Sequence, residues 1–154
     1  MKRFLYWLWR VVPLSKRMRA PILWLGNRKF IIGISALIFN DRREILLFKH
    51  TYRNDFPWSF PGGYFKKHED PDEAMKREIY EESGFEINIL KVLEVARSHE
   101  MARFEVLYQA ELIGEPVFVP SVEVTEARFF PLDEFPEMLP EHKAIIERYV
   151  RSCE

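Results

Sequence analysis

Cysteine is almost absent from this sequence of 154 residues. The single thiol, Cys153, cannot by itself form an internal disulfide or a zinc cage. Internal repeats and low-complexity stretches are also lacking, and the 47% of apolar residues matches an ordinary globular protein. We therefore expect one compact domain in a reducing, cytoplasmic environment.

Acidic side chains are missing from residues 1–30, which carry eight lysines and arginines. The remaining residues hold 15 basic and 24 acidic side chains, so the body of the protein is acidic. An acidic body is compatible with a divalent-cation site. It argues against a protein that binds nucleic acid over its whole surface.

The N-terminal segment, residues 1–28, has no apolar run long enough to cross a membrane. Its apolar residues 4–9 are followed by Arg10, and no small-x-small cleavage motif follows. We expect neither secretion nor a membrane span. Three interpretations stay open for this segment: packing on the domain or across a homodimer interface, a peripheral membrane anchor, and an electrostatic contact with RNA or DNA.

The apolar pattern after position 28 predicts alternating strands and helices. Residues 30–39 are rich in β-branched side chains and predict a buried strand, and a turn at Asn40-Asp41 followed by residues 44–49 predicts a hairpin. Further strands are predicted at 87–97, 103–112 and 127–130, and helices at 71–83 and 141–151. This order predicts a mixed α/β sandwich, as one domain over residues 29–154.

The helix over residues 71–83 has signals at both ends. Asp70 suits the N-cap, Glu73 completes a capping box, and Pro71 suits the first helical position. Gly84 can adopt the left-handed conformation that ends a helix.

Three glutamates, Glu78, Glu81 and Glu82, fall on one face of this helix, within about 100° of arc. Like charges at these spacings repel, and the C-terminal end of a helix dipole is already negative. A hard cation such as Mg2+ or Mn2+ would relieve the repulsion, so the pattern indicates a metal site. The alternative is a solvated acidic stripe.

The wider spacing resembles the Nudix box, G-x5-E-x7-R-E-U-x-E-E-x-G-U, in which U is an apolar residue. Every fixed position is occupied, by Gly63, Glu69, Arg77, Glu78, Ile79, Glu81, Glu82, Gly84 and Phe85. The likeness extends over about residues 29–150. It implies a Nudix-type α/β/α sandwich with a mixed central sheet.

The resemblance also implies roles for individual residues. In the family, the three helix glutamates bind the divalent cation, and the glycine that matches Gly63 offers its carbonyl. The arginine that matches Arg77 orients the carboxylates. The glutamate that matches Glu69 commonly buttresses them, and in some members it joins the metal shell. The implied activity is Mg2+-dependent hydrolysis of the phosphoanhydride bond in a nucleoside diphosphate linked to another moiety.

The general base of this reaction is left open by the pattern. Glu81 and Glu82 in the box, and Glu123 and Glu126 after it, are the candidates. Weaker candidates are His68, His99, Arg53, Lys66 and Lys67 for phosphate contacts, and Trp58, Tyr64, Phe65 and Tyr108 for stacking a base. Such histidines and cations are more often merely exposed, and such aromatics more often fill the core.

Two alternatives to a hydrolase each predict a sequence feature that can be compared with this chain. A Nudix-fold isomerase needs a cysteine near the reacting carbon, and Cys153 is a poor match. A catalytically silent ligand-binding or regulatory domain tends to lose box residues, whereas this box is complete. Substrate identity is left open among nucleoside triphosphates, nucleotide sugars or alcohols, and capped RNA ends.

Overall fold

The described part of the chain, residues 30–97 and 102–151 of a computed structural model, contains strands and two helices. In chain order they are β1 (Ile31–Ile38), β2 (Ile45–His50), β3 (Trp58–Ser59), β4 (Gly62–Tyr64), α1 (Pro71–Ser83), β5 (Ile87–Arg97), β6 (Arg103–Leu112), β7 (Val124–Phe130) and α2 (Pro140–Arg151). The N-terminal segment, His99 and Cys153 lie outside the described residues.

The strands form two sheets. The first is mixed, with four strands in the order β4-β1-β6-β5, and its central pair, β1 and β6, is parallel. The second is antiparallel, with three strands in the order β3-β2-β7. The predicted mixed sheet is confirmed, while the separate antiparallel sheet was not predicted.

The turn at Asn40 joins β1 to β2 but does not start the predicted hairpin. Its side-chain Oδ1 accepts hydrogen bonds from the backbone N–H of Arg42 at 3.0 Å and of Glu44 at 2.9 Å. Beyond one antiparallel bridge between Phe39 and Ile45, the two strands enter different sheets. The hairpin prediction is wrong because β1 pairs along its length with β6, and β2 pairs with β7.

The core lies on both faces of β1, because successive side chains of a strand point to opposite faces. Ile34 and Ala36 belong to a buried cluster that includes Ile79 of α1. Leu37 belongs to a second buried cluster that includes Ile146 of α2. The two helices therefore cover opposite faces, which confirms the α/β/α sandwich.

Helix α1 begins and ends at the predicted residues. Gly84 follows it with φ of 74°, a left-handed conformation that glycine adopts without strain. The capping box is not formed, because the Asp70 side chain makes no cap hydrogen bond and Lys76 holds the Glu73 carboxylate at 3.0 Å. That part of the helix prediction is wrong.

No helix within residues 30–97 and 102–151 is long and apolar enough to span a membrane.

Candidate functional site

Gly63 of β4 lies directly against the side chain of Glu78 on α1. A Cβ atom at Gly63 would overlap the Glu78 carboxyl group, so glycine is what lets the carboxylate rest on the β4 backbone. Gly63 is itself held in register by its pairing with Ile34 of β1. The strand and the helix thus bring a carboxylate and a backbone segment into contact.

Arg77 organises the acidic face of α1. Its Nε and Nη2 donate to the two carboxylate oxygens of Glu69 at 2.6 and 2.9 Å, a bidentate pair. Its Nη1 donates to Glu78 at 2.7 Å and to Glu81 at 3.1 Å. One guanidinium therefore fixes three carboxylates, which is the geometry that an orienting residue needs.

These contacts shift the pKa values of the partners. The hydrogen bond from Arg77 lowers the pKa of Glu69 to about 2, and the same pairing raises the pKa of Arg77 above its usual value. A hydrogen bond from Lys66, at 2.9 Å, is the main cause that lowers the pKa of Glu81, and Arg77 adds to it. Glu69 and Glu81 are therefore carboxylates at neutral pH.

Glu82 is the buried member of the acidic face, with 5% of the residue exposed. Its Oε2 accepts a hydrogen bond from the Gly62 N–H at 3.4 Å, and its Oε1 lies 4.0 Å from His50 Nδ1. Burial raises the pKa of Glu82 to about 8, and the charges of Glu78 and Glu123 add to the rise. The Gly62 hydrogen bond opposes it.

A divalent cation fits the donor chemistry of this face. Carboxylate oxygens are the ligands that Mg2+ prefers, and a cation beside Glu82 would offset the cost of burying its charge near two other carboxylates. The side chains do not converge into a ready cage, because no three histidine, cysteine or acidic residues of the described chain are so arranged. Arg77 and Lys66 hold Glu78 and Glu81 in ion pairs instead. Each carboxylate has further oxygen lone pairs with which it could bind a cation.

The structure separates the two later glutamates. Glu123 precedes β7, its backbone oxygen accepts from the Thr51 N–H at 2.9 Å, and its charge acts on Glu82. Glu126 lies on β7 opposite Lys49, whose Nζ is 2.6 Å from its carboxylate. Glu123 is therefore close enough to act electrostatically on Glu82, whereas Glu126 forms an ion pair with Lys49.

A cleft of about 730 Å³ opens beside the acidic face. Gly62 and Gly63 line it from β4, and His50, Arg53 and His142 line it from β2, the following loop and α2. Burial is the main cause that lowers the pKa of each histidine to about 4, and the charge of Arg53 adds to it. Both imidazoles are therefore neutral at neutral pH.

Sequence reasoning missed His50 and His142 and singled out the other two histidines. His68 is an exposed loop residue in the structure. No motif surrounds His50 or His142, and they lie 92 positions apart, so only the fold brings them to one cleft.

The aromatic candidates divide between core and cleft. Trp58 and Tyr108 are buried in the two hydrophobic clusters, as the core interpretation predicts. Tyr64 is half exposed and lines the cleft, where the Arg103 guanidinium lies 5.2 Å from its ring centroid.

Comparisons with known proteins identify the family to which this chain is similar. The NUDIX domain model matches residues 29–151. The chain is 29% identical to the ADP-ribose pyrophosphatase of Methanocaldococcus jannaschii, over 78% of this chain and 73% of that protein. It is 21% identical to Nudix hydrolase 8 of Arabidopsis thaliana, over 87% of this chain and 38% of that protein.

A solved structure shows the same fold. The crystal structure of UDP-X diphosphatase matches with a TM-score of 0.70 at 20% identity, over 94% of this chain and 75% of that chain. Against curated relatives from Arabidopsis thaliana, Bacillus subtilis and Streptomyces rubellomurinus, the chain spans between 38% and 60% of the relative's length.

Proposed function

Because the chain belongs to the NUDIX family, we propose that it hydrolyses the phosphoanhydride bond of a nucleoside diphosphate linked to another moiety, with Mg2+ or Mn2+ as its cofactor. The observation that carries this proposal is Glu82, a buried carboxylate near Glu78 and Glu123. The imidazole Nδ1 of His50 lies 4.0 Å from the Glu82 carboxyl group, and no lysine or arginine nitrogen of the described residues lies that close to it. Glu82 is buried, Glu78 is partly exposed and Glu123 is exposed, and a cation beside Glu82 would stabilise its ionised form.

The box residues supply the ligands in this proposal. Glu78, Glu81 and Glu82, with the carbonyl of Gly63, would hold the cation. When bound, the cation would neutralise the diphosphate charge and orient the attacking water. Arg77 would keep the carboxylates in place through its paired hydrogen bonds to Glu69.

The general base accepts the proton from the attacking water. We keep Glu81, Glu82 and Glu123 as candidates, because each lies at the acidic face or acts on it electrostatically. Glu126 ranks below them because its carboxylate already neutralises Lys49.

The substrate class follows from the relatives by analogy. One is named ADP-ribose pyrophosphatase and a structural neighbour is named UDP-X diphosphatase, so both names refer to a nucleoside diphosphate joined to a further group. We propose a small-molecule substrate of that class for this chain, with ADP-ribose and UDP-sugars as the first members to test.

Hydrolysis of a diphosphate panel tests the proposal. We expect Mg2+-dependent turnover of at least one nucleoside diphosphate derivative, and a loss of about 100-fold or more in Glu82→Gln. Glu86→Gln is the matched control, because Glu86 is an exposed glutamate just beyond α1. Equal activity in wild type and Glu82→Gln would refute the assignment. Binding of panel members without any hydrolysis would support the catalytically silent alternative.

The N-terminal segment keeps its open interpretations as proposals. A homodimer contact or a peripheral membrane contact through residues 1–28 is tested by sedimentation with anionic liposomes and by light scattering. Liposome binding that falls with added salt would support the membrane contact, and its absence would remove that contact.

A further inference from the structure

Two histidines that line the cleft have buried imidazole nitrogens without hydrogen-bond partners among the described residues. Nδ1 and Nε2 of His50 and Nδ1 of His142 have no partner within the described residues. His50 is only 4% exposed, and both side chains line the cleft. Buried polar atoms in proteins are nearly always hydrogen-bonded, so these nitrogens call for a partner from outside the described residues.

Aromatic packing holds the two rings and leaves their nitrogens free. The rings of Phe60 and His142 are stacked, with centroids 4.7 Å apart and planes inclined by 29°. The rings of Tyr52 and His50 are 5.2 Å apart with planes inclined by 52°. The imidazoles are thus held by ring contacts, and three of their nitrogens are buried without a hydrogen-bond partner among the described residues.

Arg53 brings a positive charge to the same wall. It is only partly exposed, and no carboxylate of the described residues lies within 4.0 Å of it. Two other arginines that line the cleft do have ion pairs: Arg103 is bound to Glu105, and Arg148 is bound to Glu94 at 2.7 Å. Arg53 is therefore a partly exposed cation without an ion pair among the described residues, and its guanidinium carbon lies 5.7 Å from the Tyr52 ring centroid.

The charge of Arg53 acts on other groups of the cleft and the acidic face. After burial, its charge is the next cause that lowers the pKa of His50 and His142, and it also acts on Glu82. Of the acidic residues that line the cleft, Glu94 and Glu105 are paired with arginines, and Asp55 and Glu141 are exposed. The inner wall therefore offers donors and positive charge.

We propose that Arg53, His50 and His142 form a subsite that binds a phosphoryl group of the substrate without using the metal. A guanidinium matches phosphate oxygens with two parallel hydrogen bonds, and a neutral imidazole adds one N–H donor. The subsite adjoins the acidic face, since His50 Nδ1 lies 4.0 Å from Glu82. The inference deepens the proposed function, on which it rests for the diphosphate nature of the substrate.

Calorimetric titration with inorganic pyrophosphate in EDTA tests the subsite apart from the metal. We expect saturable binding to the wild-type chain and binding at least about 10-fold weaker in Arg53→Ala, because a charge-assisted hydrogen bond is lost. His142→Phe keeps the ring stack and removes the nitrogens, and we expect it to weaken binding by about 3-fold or more. Arg53→Lys should bind with intermediate affinity.

Arg42→Ala is the matched control, because it removes one positive charge from the exposed turn between β1 and β2. It should bind pyrophosphate within about 2-fold of wild type. Equal affinity in Arg53→Ala and Arg42→Ala would overturn the subsite, as would a wild-type chain that does not bind pyrophosphate in EDTA. Should Arg53→Ala show no thermal unfolding transition, the titration of Arg53→Lys decides instead.

A second titration, with orthophosphate, distinguishes a site for a single phosphoryl group from a site that needs a diphosphate. Binding of both anions indicates a site for a single phosphoryl group, and binding of pyrophosphate alone indicates a site that needs the diphosphate; each result supports the subsite. Turnover with Mg2+ is measured separately. A chain that hydrolyses its substrate but binds neither anion in EDTA would refute the subsite alone, and one that binds without turnover would refute the proposed hydrolysis alone.

Discussion

Arg77 and Glu69 are joined by two parallel hydrogen bonds, from Nε to Oε1 at 2.6 Å and from Nη2 to Oε2 at 2.9 Å. The pair connects α1 to the loop that precedes it, eight positions back in the sequence. Because the guanidinium is planar, fixing it on Glu69 also fixes where Nη1 meets Glu78 and Glu81. The pair therefore positions the guanidinium that holds Glu78 and Glu81.

Arg77→Lys should lower turnover while leaving the fold intact. Lysine keeps the charge but cannot form the two parallel hydrogen bonds, so Glu78 and Glu81 lose their fixed geometry. We expect a fall of about 10-fold or more in kcat and a weaker metal affinity, on the scale seen when residues that orient ligands are changed.

Steady-state kinetics and circular dichroism check this result. Lys76→Ala is the control on the same helix, because Lys76 is exposed and contacts Glu73 through a surface ion pair. Turnover in Arg77→Lys equal to that of Lys76→Ala would show that the paired hydrogen bonds do not organise the site.

Gly63→Ala should act through Glu78. The added Cβ would overlap the Glu78 carboxyl group, so that side chain must leave the β4 backbone. We expect the substitution to reduce turnover by about 10-fold or more, and Glu78→Gln to do the same.

A double-mutant cycle separates this contact from general damage. If Gly63 acts by positioning Glu78, the combined variant should lose little more than the worse single variant, which is strong non-additivity. Losses that simply multiply would mean that Gly63 acts elsewhere.

His142 makes stability depend on pH. Burial lowers its pKa from 6.5 to about 4, so below pH 6.5 the unfolded chain takes up a proton that the folded chain does not. The contribution to stability is complete above pH 6.5 and is lost as the pH falls toward 4. The slope from this one proton is at most about 1.4 kcal/mol per pH unit.

Urea unfolding of wild type and His142→Phe at several pH values between 7.5 and 4.5 measures this effect, with about 1.4 kcal/mol per unit as the largest expected difference in slope. The variant should show the shallower decline, because phenylalanine preserves the stack on Phe60 and removes the titrating group. Parallel declines would mean that His142 is protonated equally in both states.

Local signals predicted α1 well because they act within a few residues. Pro71 can begin a helix, Gly84 can end it in a left-handed conformation, and the helix has those bounds. The hairpin prediction went wrong for the opposite reason. The choice of partner for β1 depends on β6, more than sixty positions away, and no turn residue encodes it.

The acidic face of α1 could be predicted from the sequence, whereas the cleft wall that contains Arg53 and His142 could not. A fixed spacing brings Glu78, Glu81 and Glu82 to one side of a helix, so the sequence alone indicates them. Arg53 and His142 come from a loop and a distant helix, and their shared cleft appears only in the folded chain. Burial of Glu82, which decides its electrostatics, likewise depends on tertiary packing.

Binding of Mn2+ measured by electron paramagnetic resonance tests the central claim most directly, because free and bound Mn2+ give different signals. The account predicts saturable binding to the wild-type chain, at least about 10-fold weaker binding in Glu82→Gln, and unchanged binding in Glu86→Gln. An absence of saturable binding to the wild-type chain, or equal affinity in both variants, would contradict it.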